Sequence, residues 1–464
     1  MNLTTPQQQY LQKFIHDYNR RTPKSKQLAR QNRPYFADHK ASIIFTMPLK
    51  EICYPIAGDR SCGSKIWDID GNEYLDFSMG YGVNLFGHNP PFIKQAIAEQ
   101  LERGIHLGLG SEIASEVAET ICQLTNTERV ALSNTGTEAV MTAIRLARTA
   151  TNRDKIALFS GSYHGHFDGT LVKNQIVDGI HKILPFAPGV PDSIVKDVLV
   201  LDYGNPQSLD LIKQHQHELG AVLVEPVQTS NPQLQPKEFL HQLRQLTQDK
   251  SIVLIFDEMV TGFRIHPGGA QAWFNIEADL ATYGKIVGGG MPIGVIAGKA
   301  KYMDAIDGGM WTYGDCSSPQ ARKTFFAGTY CKHPLTMATA RAVLKEIKTQ
   351  GSSLQQQLNQ RTADLVATLN AYFIQEKLPL KMVHFGSLFA VNFTEDCTSP
   401  YILALLLYYN LIHQGVLFRE LGGFLSTAHT DEDLNYLIEV IKKSIVELTE
   451  AGFLSDSLLE NYVM

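Results

Sequence analysis

The sequence predicts an α/β fold: a large domain around a central, mostly parallel sheet, and a small α/β domain drawn from both ends of the chain. Three observations predict it. Between about residues 112 and 334 the short apolar runs KIALF, VLVL, AVLV and IVLIF alternate with helical patterns, as successive βα units do. Ahead of them, SKIWDIDGNEYLDFSMG alternates apolar and polar residues on both sides of Asp70-Gly71-Asn72, the chemistry of a tight hairpin turn. After Pro334 come long amphipathic helical patterns, MATARAVLKEIKT, LQQQLNQRTADLVATLNAYF and DEDLNYLIEVIKKSIVELTEAGF.

In chain order, residues 1–40 are polar and rich in Gln, Lys and Arg, with a weak amphipathic pattern through Tyr10, Leu11, Phe14 and Ile15. They read as a linker or docking arm. Residues 41–111 form the N-terminal part of the small domain, 112–334 the large domain, 335–455 the rest of the small domain, and 456–464 a tail. A chain of 464 residues with 44% hydrophobic content exceeds what one small core needs, which fits two lobes. The net charge of −6 offers no basic stripe, so nucleic acid is not an expected partner. Six scattered cysteines without a C-x-x-C pair fit a reducing, cytoplasmic setting better than a disulfide framework. The start lacks a basic patch followed by an apolar run, and no apolar stretch reaches membrane-span length, so neither secretion nor membrane insertion is expected.

Candidate chemistry gathers where strands end, and open parallel sheets bind ligands beyond those carboxyl ends. AVLV runs into Glu225-Pro226, IVLIF into Asp257-Glu258, and one βα step later Tyr283-Gly284-Lys285 precedes Gly288-Gly289-Gly290. Asp257 alone reads as a turn cap and Lys285 alone as a surface charge. Together, a carboxylate suited to a pyridinium and a lysine beside side-chain-free backbone suggest a site for a flat, imine-forming cofactor. Asn134-Thr135-Gly136-Thr137 opens a helix whose face is Val140, Ile144 and Ala147; it reads as an anion cradle or as an ordinary N-cap. Gly328-Thr329 makes a weaker second cradle. Tyr163, after KIALF, either stacks on a ligand ring or packs beside a turn. His164 and His166 lack the companions a metal site needs, so no metal is expected.

Taken together, SNTGTEA, GSYHGH, VEPV, IFDEMVTGFR, YGKIVGGGMPIG and FFAGTYCKHPL resemble the class III aminotransferases dependent on pyridoxal 5'-phosphate (PLP), near glutamate 1-semialdehyde aminomutase. The likeness spans about residues 50 to 450. It implies a fold type I PLP transferase and an aminotransferase with Lys285 as Schiff-base lysine and proton shuttle and Asp257 on the pyridine nitrogen. It further implies Gly136 and Thr137, with Asn134 and Thr135, on the phosphate, and Tyr163 against the ring. His164, Glu225 and Met259 complete the cofactor set. The enzymes it resembles are homodimers with shared active sites, in which Thr329, beside Gly328, reaches the neighbouring subunit's phosphate.

The segments YLQKFIHDYNRRTPKSKQLAR, GGAQAWF and FFAGTYCKHPLTMATARAVL also resemble aminotransferase domains of hybrid polyketide and nonribosomal peptide synthetases. That resemblance implies amination of a β-keto acyl thioester on an acyl carrier protein, with glutamate or glutamine as donor. One departure agrees with it. The aminomutase pattern has an arginine for the substrate carboxylate before the first hairpin, whereas IIFTMPLKEICYPIAGDRSCGSKIW offers only Arg60, a poor counterpart. The alternatives are an aminomutase or aminotransferase acting on a free keto acid or aldehyde, a PLP decarboxylase or racemase, and, from another class, a non-catalytic carrier-docking module.

Overall fold

The computed structural model describes residues 3–39, 45–177, 180–395, 397 and 400–454, so the tail expected at 456–464 lies outside the described residues. Two compact units result, one from the residues up to Pro90 and from Gln360 onward, the other Pro91–Asn359.

In the first unit the segment read as a linker or docking arm is helical and packed. The helix Thr5–Arg21 starts with a capping box, in which Thr4 and Gln7 satisfy each other's backbone N–H groups, and Pro6 suits its first turn. Leu11, Phe14 and Tyr18 recur at helical spacing and are buried, with Phe14 edge-on to His413 and Tyr18 edge-on to Tyr409. The polar residues between them face outward, which is why the stripe reads so weakly in the sequence. The hairpin is where the sequence places it. β1 (Gly58–Cys62), β2 (Lys65–Asp68) and β3 (Glu73–Asp76) pair antiparallel. Asp68 Oδ1 accepts from the N–H groups of Asp70 and Asn72 at 2.9 and 2.8 Å, and Gly71 takes φ +88°.

The second unit is built on a seven-stranded sheet. Its members are β4 (Arg129–Ser133), β5 (Lys155–Phe159), β8 (Val198–Leu201), β9 (Leu219–Val224), β10 (Val253–Asp257), β11 (Leu280–Gly284) and β12 (Gly294–Gly298), in the order β4-β12-β11-β10-β9-β5-β8. A separate hairpin, β6 (Val172–Val177) with β7 (Ile180–Pro185), lies between β5 and β8 in sequence. All strands of the large sheet run one way except β12, which is antiparallel to both its neighbours. β9 and β10 are buried at every residue, so they read as unbroken apolar runs. The helix Gly136–Thr151 buries Ala139, Val140, Ala143, Ile144 and Ala147 in the same core as Ile156, Leu223, Ile255 and Ile296. Each large aliphatic side chain there stabilises by about 1.5–3 kcal/mol.

The chain then returns to the first unit. β13 (Leu380–Phe385), β14 (Leu388–Phe393) and β16 (Gly422–Phe424) form a three-stranded sheet, while β15 (Val416–Leu417) joins β3 in parallel as the fourth strand of the hairpin sheet. The closing helix Asp431–Glu450 has its own capping box from Thr430 and Asp433. An α/β protein with a mostly parallel sheet is therefore what the sequence encodes. The antiparallel β12 escapes a reading by apolar runs because GVIAG is short and three of its five residues are glycine or alanine.

Candidate active site

Because six strands of the large sheet share a direction, the carboxyl ends of β4, β5, β9, β10 and β11 lie on one rim. Asp257 is the last residue of β10 and lies in register with Thr282 of β11. It is only 3% exposed, as burial at the foot of an all-apolar strand demands. Its Oδ2 accepts from His164 Nδ1 at 2.7 Å; its Oδ1 accepts from Thr282 Oγ1 at 3.2 Å and from the Met259 N–H at 3.2 Å. His164 is itself buried, and among the described residues its Nε2 has no hydrogen-bond partner.

Lys285 follows β11 directly and is half-buried. Its φ of +47° is left-handed, a conformation that costs a non-glycine residue about 1–3 kcal/mol and that persists where surrounding structure enforces it. Within Gly288-Gly289-Gly290, read as a place for a flat ligand to approach, Gly289 takes φ +58° and serves the turn. A Cβ on Gly289 would come within 2.9 Å of Val343 and 3.0 Å of Ile93, so glycine is needed there for helix packing.

The helix Gly136–Thr151 opens at the end of β4. Thr135 caps it, its hydroxyl accepting from the Glu138 N–H, and the Asn134 N–H donates back to Glu138 Oε2 at 2.7 Å. The N-cap reading of this turn is what the hydrogen bonds show, and the N–H groups of Gly136 and Thr137 precede the helical ladder. A Cβ on Gly136, or on Gly284, would sit 2.8 Å from Met259 Sδ, which puts Met259 between the helix start and the residue preceding Lys285. Gly294 at the start of β12 has no room for a side chain either, because a Cβ would collide with the Thr135 carbonyl oxygen.

The GSYHGH turn at the end of β5 is held from three sides. The Tyr163 N–H donates to Glu225 Oε2 at 2.9 Å, His164 engages Asp257, and the His166 N–H donates to Thr137 Oγ1 at 3.3 Å. The Tyr163 ring stays 70% exposed. Burial raises the Glu225 carboxyl above its ordinary range, with the nearby His164 opposing the rise and Asp257 adding to it. The second cradle is close to the first, since a Cβ on Gly328 would lie 3.2 Å from Asn134 Nδ2; Thr329 beside it is exposed. Arg145, on the helix Gly136–Thr151, donates to the Phe325 carbonyl at 3.0 Å and holds that segment.

Sequence reasoning missed Thr282 and Gly294. Aligning the carboxyl ends of IVLIFD and LATYG would set Asp257 against Gly284; the observed register is offset by two residues and puts Thr282 beside Asp257 instead. Gly294 needed the antiparallel β12, which was not foreseen.

A family profile described as aminotransferase class-III matches residues 47–445. The chain belongs to the class-III aminotransferases. It is 33% identical over 413 residues to glutamate-1-semialdehyde 2,1-aminomutase of Chloroflexus aggregans, covering 85% of this chain and 91% of that one. Among solved structures it is similar to an ω-transaminase from Sphaerobacter thermophilus (27% identity, TM-score 0.81, covering 91% of this chain and 97% of that one). It is also similar to a β-phenylalanine aminotransferase from Variovorax paradoxus (27% identity, TM-score 0.79, 95% and 97%). The chain is thus a PLP-dependent transaminase of fold type I, which overtakes the expectation of a non-catalytic module. Its residues fit the cofactor: a buried carboxylate, a neighbouring lysine, and a helix start where only glycine leaves room beside Met259. No helix among the described residues is long and apolar enough to cross a membrane.

Proposed function

We propose that this class-III aminotransferase moves an amino group between an amino acid donor, glutamate or glutamine, and a small free carbonyl compound of the glutamate 1-semialdehyde kind. The observation that carries the reading is a buried, hydrogen-bonded carboxylate ending β10 beside a lysine that follows β11, its neighbour in the sheet. The aminomutase names of relatives 33% and 36% identical support the substrate class.

When bound, PLP supplies an electron sink for the pair released as a substrate C–H bond breaks. Lys285 Nζ would hold the cofactor and, once displaced by the donor amine, carry the proton between the reacting carbons. Asp257 would keep the ring nitrogen protonated through a charge-assisted hydrogen bond. Asn134, Thr135, Gly136 and Thr137 would bind the phosphate at the helix start, and Tyr163 would lie on the ring face. Glu225, His164 and Met259 would support those groups from behind. The functional unit is a homodimer in a cytoplasmic setting, with Gly328 and Thr329 of one copy reaching the phosphate held by the other. The large domain at 112–334, flanked by the two parts of the small one, belongs to the same reading. Lys285→Ala tests it: turnover should vanish while the fold, followed by circular dichroism, stays intact. A variant that turns over at more than a hundredth of the wild-type rate would overturn it.

A second reading is favoured by Arg60. Its guanidinium lies 4.1 Å over the Trp67 ring within its own hairpin, and nearby Lys65 pairs with Glu73 at 2.6 Å, so both cations are engaged. A free carboxylate in an apolar pocket without a cation loses several kcal/mol of hydration, as a rough figure, whereas a thioester is neutral. This supports a β-keto acyl thioester on an acyl carrier protein in polyketide or nonribosomal peptide biosynthesis. The likeness to an enzyme named for a β-amino acid also supports it. Mass spectrometry separates the two. Faster amination of glutamate semialdehyde or a short keto acid supports the first reading, and faster amination of a pantetheine-linked β-keto acyl thioester the second.

A further inference from the structure

We infer that His164 is a positioning residue for the reaction: it fixes the Asp257 carboxylate and ties it to the phosphate-side residue Thr137, without itself touching the substrate. The inference rests on the reading of Asp257 as partner of the cofactor ring nitrogen. It begins with the hydrogen bond between His164 Nδ1 and Asp257 Oδ2, 2.7 Å long between two side chains that are 1% and 2% exposed. An ionised carboxylate only accepts, so Nδ1 carries the hydrogen and the tautomer is set by Asp257. Nε2 then faces the interior with no hydrogen-bond partner among the described residues. A buried nitrogen in that state is a cost without a packing return, and such costs persist where function needs them.

The neighbours of His164 show what its fixing accomplishes. Tyr163 is anchored by its N–H to Glu225 at the end of β9, and His166 by its N–H to Thr137 Oγ1 at the helix start. Gly165 between them has φ +81°, and a Cβ there would collide with Thr137 Oγ1, so the turn lies flush against the cradle. One six-residue turn thus links the ends of β5, β9 and β10 to the start of the helix Gly136–Thr151. His164 is the link that reaches Asp257. Without it, one carboxylate oxygen loses its donor, and the carboxylate is free to rotate about its Thr282 and Met259 contacts.

The test uses the PLP-loaded, full-length protein and the variants His164→Ala, His164→Asn, Asp257→Ala and the double variant His164→Ala/Asp257→Ala. Asn can present a donor near the place of Nδ1; Ala cannot. Readouts are the PLP dissociation constant, the pH titration of the bound cofactor's visible absorbance, and kcat and KM. His164→Ala should weaken PLP binding and lower kcat by about 10–100-fold, with KM changed far less, as for other groups that orient a cofactor ligand. It should also displace the absorbance titration. His164→Asn should recover most of the loss, and the double variant should be no worse than Asp257→Ala, because His164 acts through Asp257. Wild-type PLP affinity and absorbance in His164→Ala, or losses that add in the double variant, would overturn the inference. If His164→Ala fails to fold, His164→Asn decides, since an unshifted titration with near-normal kcat supports the inference and a loss as deep as that of Asp257→Ala refutes it. An Asp257→Ala protein with normal affinity and absorbance would instead overturn the underlying reading of Asp257.

Discussion

Asp76 and Asp257 each end a strand, are buried and are bonded to a histidine, yet they belong to different kinds of site. Asp76 closes β3 in the first unit, and its Oδ2 accepts from His88 Nε2 at 2.8 Å. Its Oδ1 accepts from the N–H groups of Ser78 and Met79 and from the Ser78 hydroxyl, while His88 Nδ1 meets Asn84 Nδ2 at 3.3 Å. Every polar atom of that pair has a partner. Asp257 closes β10 with a similar bond to His164, but there His164 Nε2 has no partner among the described residues, and a lysine in strained backbone follows the adjacent strand. A buried Asp–His pair is therefore not diagnostic of catalysis. What separates the two is position, the rim where parallel strands end, together with a histidine nitrogen that has no partner among the described residues.

Removing the same charge from both places separates the two sites most strongly. Asp257→Asn should lower kcat by about 10²–10³-fold, the scale of losing one electrostatic partner in a dry site, with little change in melting behaviour. Asp76→Asn should do the reverse, costing about 3 kcal/mol of stability in urea unfolding while leaving kcat per folded molecule near the wild-type value. Equal effects on the same property would erase the distinction.

A second contrast sets two glycines against each other. Gly294→Ala drives a Cβ into the Thr135 carbonyl and should cost about 3 kcal/mol and weaken PLP retention, measured by gel filtration and absorbance. Gly71→Ala, at φ +88° with open space around it, should cost about 1 kcal/mol through backbone strain alone and leave PLP in place.

An effect that appears only as pH changes concerns Glu258, next in sequence to Asp257. Burial pushes its carboxyl from 4.5 up to about 7, against hydrogen bonds from the Ala270 and Gln271 N–H groups and the Thr261 hydroxyl. The folded state then holds the proton more tightly than the unfolded chain. This group's contribution is present in full below the unfolded value of 4.5 and declines as pH rises towards about 7. Relative to Glu258→Gln, the wild type should lose up to about 1.4 kcal/mol per pH unit across that window, read from unfolding curves at several pH values. A flat difference would show Glu258 ionised throughout.

Much of this was legible in the sequence, for physical reasons. Strands buried on both faces read as unbroken apolar runs, so β5, β8, β9 and β10 and the residues at their ends, Glu225 and Asp257, stood out. The Asp70-Gly71-Asn72 turn carried its own chemistry. What was hidden depends on partners distant in sequence. Nothing around Phe14 and Tyr18 announces that His413 and Tyr409 will pack against them. Thr282 matters only because β11 pairs with β10, and Gly294 only because β12 runs backwards beside β4. The packing role of Gly289 was hidden because a glycine that admits a helix looks the same in sequence as one that admits a ligand.

The central assignment is the lysine. Reducing the PLP-loaded protein with borohydride makes the bond between cofactor and protein permanent, and peptide mapping by mass spectrometry then reads which residue carries it. The expected result is a single modified peptide with the cofactor mass on Lys285, absent from Lys285→Ala. Recovery of that mass on any other lysine, or an unlabelled wild-type protein, would contradict the assignment of Lys285 and Asp257 as the catalytic pair.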